Sequence, residues 1–366
     1  MGIRERRLRK GIAAWEKGDD GFLYMPGQLL IDTPDEQLAV RVLDGAIERR
    51  RDLNGKLGVA HYDVRGDVPA LVERLRGEGV RSGPNHVLAG EPRYKGGPGT
   101  DVAPGTDQGK PSGDAGSGVR VAVLDTGYTS GVHDWLDGCV DPDGVVFEQL
   151  DVLAGDGNLD DEAGHGTFIA GIINRLAPAA RITARQVLLS DGWGDEASIA
   201  AAIADCTHAD VINLSLGAYT QGDEPPLGLV NALKNVPRTS VVVAAAGNAE
   251  SDVPFWPAAL KSVVAVAAVD SSGNKASYSN WGDWVDCAAP GHEVMSTFPN
   301  WKPANGNQAE VFEGWACWSG TSFATPYVAG LIAAEMTSGG GSAADAVHRV
   351  LAKATRTDPQ IGAVLA

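Results

Sequence analysis

Ser319-Gly320-Thr321-Ser322-Phe323-Ala324-Thr325-Pro326, running into the small and apolar series Tyr327 to Met336, is the stretch from which the rest of the chain is read. Two small residues before a hydroxyl, then a run of helix formers, predict a tight turn that delivers Ser322 to the first turn of a buried helix. Free backbone N–H groups and the helix dipole at such a terminus favour developing negative charge, so the turn that exposes the hydroxyl also helps an oxyanion. Pro326 fits a helix that has only just begun, since deeper inside it removes a bond and crowds the preceding turn. Gly-Thr-Ser alone is equally well explained by an ordinary capped core helix. Ser322 therefore needs a base and a carboxylate from elsewhere in the chain.

Both are found upstream, in a region that alternates strand and helix. Val119 to Leu124, Ile182 to Leu188, Val211 to Leu214, Ser240 to Ala246 and Val263 to Val269 are short apolar runs without alternation, the pattern of parallel strands covered on both faces. Phe168 to Asn174, Ala197 to Cys206 and Leu229 to Asn235 read as helices between them. The expected architecture is a doubly wound α/β domain with a mostly parallel central sheet, in which active groups collect beyond the carboxyl ends of the strands. Asp125-Thr126-Gly127 ends the first run. Gly164-His165-Gly166-Thr167 opens the helix that follows, and Gly247-Asn248 ends the run that starts at Ser240.

Each of these is commonplace alone: an Asp after a strand is usually a cap, and Gly-Asn is a good turn. Together they form a constellation. A serine hydroxyl does not ionise at neutral pH, so a group with pKa near ~6.5 must take its proton during attack and return it to the leaving amine. His165 supplies that base, and Asp125 accepts the other imidazole N–H and stabilises the imidazolium. The Asn248 side-chain N–H, with the Ser322 backbone N–H, completes an oxyanion hole.

Val121 to Gly127, His165 to Gly171, Val211 to Gly217, Ala244 to Asn248, Ala288-Ala289-Pro290-Gly291 and Ser319 to Pro326, in the chain order Asp, His, Ser, resemble the motifs of the subtilisin-like serine peptidases. The resemblance covers Gly118 to Ala354 and implies a serine endopeptidase that works through an acyl-enzyme on protein or peptide substrates. It also implies that Ser215, Leu216 and Gly217, with Ala245, Ala246 and Gly247, line the primary specificity pocket and pair with an extended substrate as an added strand. Where the family commonly has a small residue before an aromatic-Pro pair, this chain has Phe255-Trp256-Pro257, and Phe255 is expected to fill the pocket and restrict it to small side chains.

Residues 1–92 read as a small α+β unit of ferredoxin-like type. Gln28 to Ile31 is a strand, Thr33 and Glu36 form a capping box around Pro34, and Asn54-Gly55 is a hairpin turn leading into the strand Lys56 to Val64. Asp67 caps a second helix, Val68 to Arg76, and His86 to Leu88 closes the sheet. Its size and topology are similar to the family's prodomains, which implies an intramolecular inhibitor and folding chaperone, or a retained regulatory module. Residues 93–117, dominated by Gly, Pro, Ser, Thr and Asp, read as a linker and the place for a cut. Residues 118–366 form the peptidase domain.

The chemistry needs no cofactor. Structural calcium is common in the family, and Asp156, Asn158 and Asp160 offer alternating oxygens, as do Asp134, Asp137, Asp141 and Asp143. Neither set ends in a bidentate Glu, so solvated acidic turns are the expectation. A net charge of -17 argues against nucleic acid or an anionic membrane as partner. No signal-peptide block and no membrane-spanning run is visible, which leads to an expectation of a cytoplasmic protein. Cys139, Cys206, Cys287 and Cys317 lack metal-ligand spacing and are expected as isolated thiols, although an even count leaves two disulfides open. An aspartic peptidase is excluded because no second Asp-Thr-Gly or Asp-Ser-Gly occurs. A catalytically silent scaffold on the same fold has no need of all four of Asp125, His165, Asn248 and Ser322.

Overall fold

A computed structural model describes residues 13–15, 21–51, 53, 55–90, 102–141, 148–151, 157–304, 306–307 and 311–365. The described residues fall into two compact units. The first comprises Met1–Leu88, Gly194–Thr207 and Ala218–Val236, and the second Ala89–Trp193, His208–Gly217 and Pro237–Ala366.

In the first unit, four antiparallel strands lie in the order Ser82–Gly90, Phe22–Asp32, Val59–Val64, Ile47–Arg51. The first of these contributes its residues up to Leu88. Helices Glu36–Val42 and Val68–Gly77 bury Ala39, Val72 and Leu75 against Leu29, Ile31, Ala60 and Tyr62. Asp67 caps the second helix, accepting from the Ala70 N–H at 2.9 Å. Four local features differ from the reading of the sequence. The strand through Gln28–Ile31 runs from Phe22 to Asp32, and Ile47–Arg51, too charged to read as a strand, is one because Arg49 and Arg51 pair with Asp63 across the ladder. The capping box does not form: Thr33–Asp35 is a 3₁₀ turn, and the Glu36 carboxylate accepts instead from Arg50 Nε (2.8 Å) and Tyr62 Oη (2.5 Å), charged and phenolic donors that outbid a backbone N–H. Gly55–Leu57 is likewise a 3₁₀ turn, and Asn54 lies outside the described residues. Helices Glu196–Asp205 and Leu227–Leu233 belong to this unit, joined where Glu196 accepts from the Gly228 N–H at 2.6 Å.

The second unit is built on an eight-stranded sheet ordered Arg356–Asp358, Gly362–Val364, Cys287–Pro290, Val263–Val269, Val241–Ala245, Val211–Leu214, Arg120–Asp125, Arg181–Gln186. All neighbours are parallel except the first pair. Helices His165–Leu176 and Thr321–Gly339 pack on it through Ile169, Ile173, Val328 and Ile332, against Val123, Val243 and Val266. Each such side chain, wholly removed from water, contributes ~1.5–3 kcal/mol. Because Arg120–Asp125, Val211–Leu214 and Val241–Ala245 are adjacent and parallel, their carboxyl ends open on one edge of the sheet. That edge carries Asp125, Ser215 and the Gly247-Asn248 turn. The described part of the expected linker is tied down: Ala103–Pro104 pairs with Ala316–Cys317, and the Gly105 N–H donates to the Trp315 carbonyl at 2.9 Å.

Candidate active site

Asp125 and His165 meet with no exposed surface on either side chain. Asp125 Oδ1 lies 2.7 Å from His165 Nδ1 and accepts from the Thr126 N–H at 2.7 Å. An ionised carboxylate only accepts, so the imidazole proton sits on Nδ1 and Nε2 is left basic. The glycines around both residues are there for closeness. Gly127 turns the chain at φ 110°, and a Cβ on Gly166 would collide with the Gly127 carbonyl, whose carbon lies 3.1 Å from it. The Gly166 N–H donates to Thr126 Oγ1 at 3.0 Å, locking the two loops together. Trp318, edge-on to the imidazole at 5.6 Å, and Phe323, at 5.4 Å, wall off the ring.

Glu148 has no motif to announce it. Its carboxyl is buried, accepts from the Gly164 N–H at 2.7 Å, and faces Asp125. Burial, reinforced by the Asp125 charge and opposed by hydrogen bonds from Thr126 and Gly164, lifts its pKa from 4.5 to about 8. It is therefore a neutral acid at pH 7. Between pH 4.5 and about 8 the folded chain holds a proton that the unfolded chain has lost, so raising the pH across that window weakens the fold, by on the order of 5 kcal/mol in the limit. Glu148→Gln keeps the acceptor for Gly164 without the titration. Its melting temperature is expected to fall less between pH 5 and pH 8 than that of the parent, as read by calorimetry; parallel curves would remove Glu148 from this role.

Ser322 is the second residue of the helix Thr321–Gly339. Its Oγ donates to the Ser215 carbonyl at 3.2 Å, and among the described residues His165 Nε2 has no hydrogen-bond partner. The serine–imidazole bond expected from the sequence is thus not made in this state. Pro326 is the sixth residue of the helix rather than part of a helix scarcely begun. Its missing N–H leaves the Ser322 carbonyl without a helical donor, and the Ser215 hydroxyl donates there instead at 2.8 Å, itself held by Asn213 Nδ2 at 3.0 Å. That exchange ties the Ser322 turn to the segment Ser215–Gly217.

Asn248 Oδ1 accepts from both the N–H and Oγ1 of Thr321, each at 3.0 Å, which fixes the oxygen end of the amide on the helix terminus and turns Nδ2 the other way. A further residue, Asn280, braces this turn. Its Nδ2 donates to the Ala246 carbonyl at 2.8 Å, and its Oδ1 accepts from the Ala249 N–H at 2.9 Å. Nothing local in the sequence marks Asn280, because it reaches the turn only through the folded chain.

Ser215, Leu216, Gly217, Ala245 and Ala246 are buried at this edge. Phe255, also buried, lies against both glycines of the expected pocket: a Cβ on Gly217 would come within 2.7 Å of its ring, and one on Gly247 within 3.1 Å. Across Leu216 and Gly217 lie Gly90 and Ala89, paired antiparallel as a short added strand, with the Gly90 N–H donating to the Gly192 carbonyl at 2.9 Å.

Of the weak metal candidates, Asp156 and Asp143 lie outside the described residues. Asp160 accepts from the Ser190 hydroxyl, Asp137 from Tyr128 Oη and the Gly131 N–H, and Asp141 pairs with Arg181. Among the described residues no group of three or more His, Cys, Asp or Glu is placed to hold a metal ion. The four cysteines are free thiols, and burial pushes those of Cys287 and Cys317 up. No helix among the described residues is long and apolar enough to cross a membrane.

Residues 116–361 match the model of the subtilase family. The thermophilic serine proteinase of Bacillus sp. (strain AK1) is 40% identical over 238 residues, covering 61% of this chain and 53% of its own. Thermitase of Thermoactinomyces vulgaris is 38% identical over 242 residues, 63% of this chain and 78% of its own. The chain thus spans about half the length of the first relative. A solved lanthipeptide protease is 28% identical with a TM-score of 0.56, over 67% of this chain and 84% of its own. The matched region takes in Asp125, His165, Asn248 and Ser322 and well over half of the 366 residues, and the chain belongs to the subtilase family of subtilisin-like serine peptidases.

Proposed function

We propose that this chain is a serine endopeptidase in which Ser322 attacks the scissile carbonyl, His165 Nε2 takes the hydroxyl proton and passes it to the leaving amine, and Asp125 holds the Nδ1–H and stabilises the imidazolium. Water, activated by the same imidazole, then releases the acyl group. The observation that carries this reading is the fully buried Asp125–His165 hydrogen bond of 2.7 Å at the sheet edge where the Ser322 helix begins. Rotation about the Ser322 Cα–Cβ bond between staggered wells brings Oγ toward Nε2. An extended substrate favours that rotation. In a substrate that takes the register of Ala89 and Gly90, with the N–H at the Gly90 position turned to Gly192, the following N–H would be directed to the Ser215 carbonyl, the acceptor that Ser322 Oγ now uses.

Asn248 Nδ2 and the Ser322 N–H form the oxyanion hole. Asn248→Ala is expected to lower kcat by ~10²–10³ with a smaller change in KM, a magnitude taken from subtilisin, a relative, rather than from this chain. Steady-state kinetics check it, and an unchanged kcat would remove Asn248 from that role. Phe255, filling the space beside Gly217 and Gly247, restricts the residue that carries the scissile carbonyl to small side chains. The proposed chemistry requires no cofactor, and structural calcium is compatible with it.

A latent, precursor-processing form is favoured by one observation, Ala89 and Gly90 lying as an added strand on Gly217 and Leu216 where substrate would pair. In that form the preceding residues, read from the sequence as a ferredoxin-like unit, act as intramolecular inhibitor until the segment before residue 118 is cut. A fluorophosphonate probe tests the reading: the wild-type chain becomes labelled and the Ser322→Ala chain does not. An unlabelled wild type would favour the silent scaffold. Intact-mass analysis of the two proteins shows whether the segment is cut and whether the cut needs Ser322.

A further inference from the structure

We infer that Glu162 sets substrate specificity at the position occupied here by Gly90, admitting glycine there and rejecting side chains, acidic ones most strongly. The inference rests on the peptidase reading and adds a residue that no motif marks. The register places it: Ala89 pairs with Gly217 and Gly90 with Leu216, so in a substrate that follows this register the residue after the Gly90 position would stand opposite Ser215, whose carbonyl lies 3.2 Å from Ser322 Oγ. Gly90 therefore marks the substrate residue immediately before the one that carries the scissile carbonyl.

At that position the carboxylate of Glu162 occupies the side-chain direction. A Cβ built on Gly90 would lie 2.8 Å from Glu162 Cδ and closer still to Oε2. A side-chain end can normally swing away from such an overlap. This one is constrained on its other side by Gly192, at φ 83°, where a built Cβ would also overlap all three carboxylate atoms. The two glycine backbones, joined by the Gly90–Gly192 hydrogen bond, close on the carboxylate from both sides, and the Glu162 residue is 2% exposed, with its own N–H donating to the Ser190 carbonyl at 2.9 Å. A methyl group at the substrate position forces the carboxylate out of this slot. A lysine that displaces it gains a charge partner, and a glutamate meets a like charge at close range. The chain's own residue at the position is the one the slot admits.

The test is competition among internally quenched peptides that copy residues 86–91, carry a common leaving segment, and have glycine, alanine, lysine or glutamate in place of Gly90. Rate ratios in such mixtures do not depend on the active fraction, so the full chain is used. The glycine peptide is expected to be cut about 10-fold faster than the alanine peptide or more, the size a misfit of one methyl group commonly gives, and lysine faster than glutamate. Glu162→Ala should bring alanine within about threefold of glycine, leaving only the residual difference of an ordinary methyl contact. Glu162→Gln should keep the glycine preference and erase the lysine–glutamate difference. Equal cutting of the glycine and alanine peptides by the wild type, or an unchanged preference in Glu162→Ala, overturns the inference. So does a chain that labels with fluorophosphonate and cuts none of the four peptides. A chain that neither labels nor cuts overturns the peptidase reading itself, a separate result.

Discussion

Ser322→Ala is expected to lower kcat by ~10⁶, to background set by binding and the oxyanion hole, a size taken from the nucleophile of subtilisin. The reason lies in the division of labour. Asp125 and His165 are already joined at 2.7 Å, but without Oγ they have no proton to move and no bond to form. The fold should be unaffected. The hydroxyl makes a 3.2 Å bond to the Ser215 carbonyl, a net contribution of ~1 kcal/mol, and alanine is a better helix former than serine. Unchanged circular dichroism with lost peptide turnover is the expected pair of results. Turnover above about one hundredth of wild type would mean that a hydroxyl other than Ser322 does the chemistry, since that residue exceeds the expected background by several powers of ten.

Asp125→Asn is expected to cost ~10⁴ in kcat, as the equivalent change does in other triads. An amide can offer its NH₂ to Nδ1, which places the imidazole proton on Nε2 and removes the base. It also removes the charge that stabilises the imidazolium. A second readout separates this from simple damage to the fold. The Asp125 charge helps hold Glu148 protonated, so in the variant Glu148 ionises at lower pH, and the pH-dependent loss of stability, which still begins near pH 4.5, ends sooner and is smaller in total. Melting curves from pH 5 to pH 9 read that displacement. A variant with the wild-type pH dependence would show that the Asp125 charge does not reach Glu148.

Much of the site is legible in the chain because its parts are short and local. Asp125-Thr126-Gly127, His165-Gly166-Thr167 and Gly247-Asn248 each need glycine where two backbones touch or a turn takes positive φ, and these demands are written at fixed neighbouring positions. The parallel strands are legible for a similar reason: Val211–Leu214 and Val263–Val269, covered on both sides, carry apolar residues without alternation. Ile47–Arg51 was not, because its arginines face the carboxylates of Asp63 and Glu36 rather than a core, and the capping box at Thr33 failed because Arg50 and Tyr62, distant in sequence, took the Glu36 carboxylate.

The amino-acid order alone determined which residue types could do chemistry, that they sit at strand ends and a helix start, and that the α/β family pattern is present. Only the tertiary structure decided that Ser215 answers the carbonyl stranded by Pro326, that Asn280 braces the Asn248 turn, that Glu148 is held neutral beside Asp125, and that Glu162 lies in the slot between Gly90 and Gly192. The physical reason is common to all four. Each depends on a carbonyl, a carboxyl or a van der Waals gap between segments tens of residues apart, and such a contact exists only once packing has set the distance and excluded the water that would otherwise take its place.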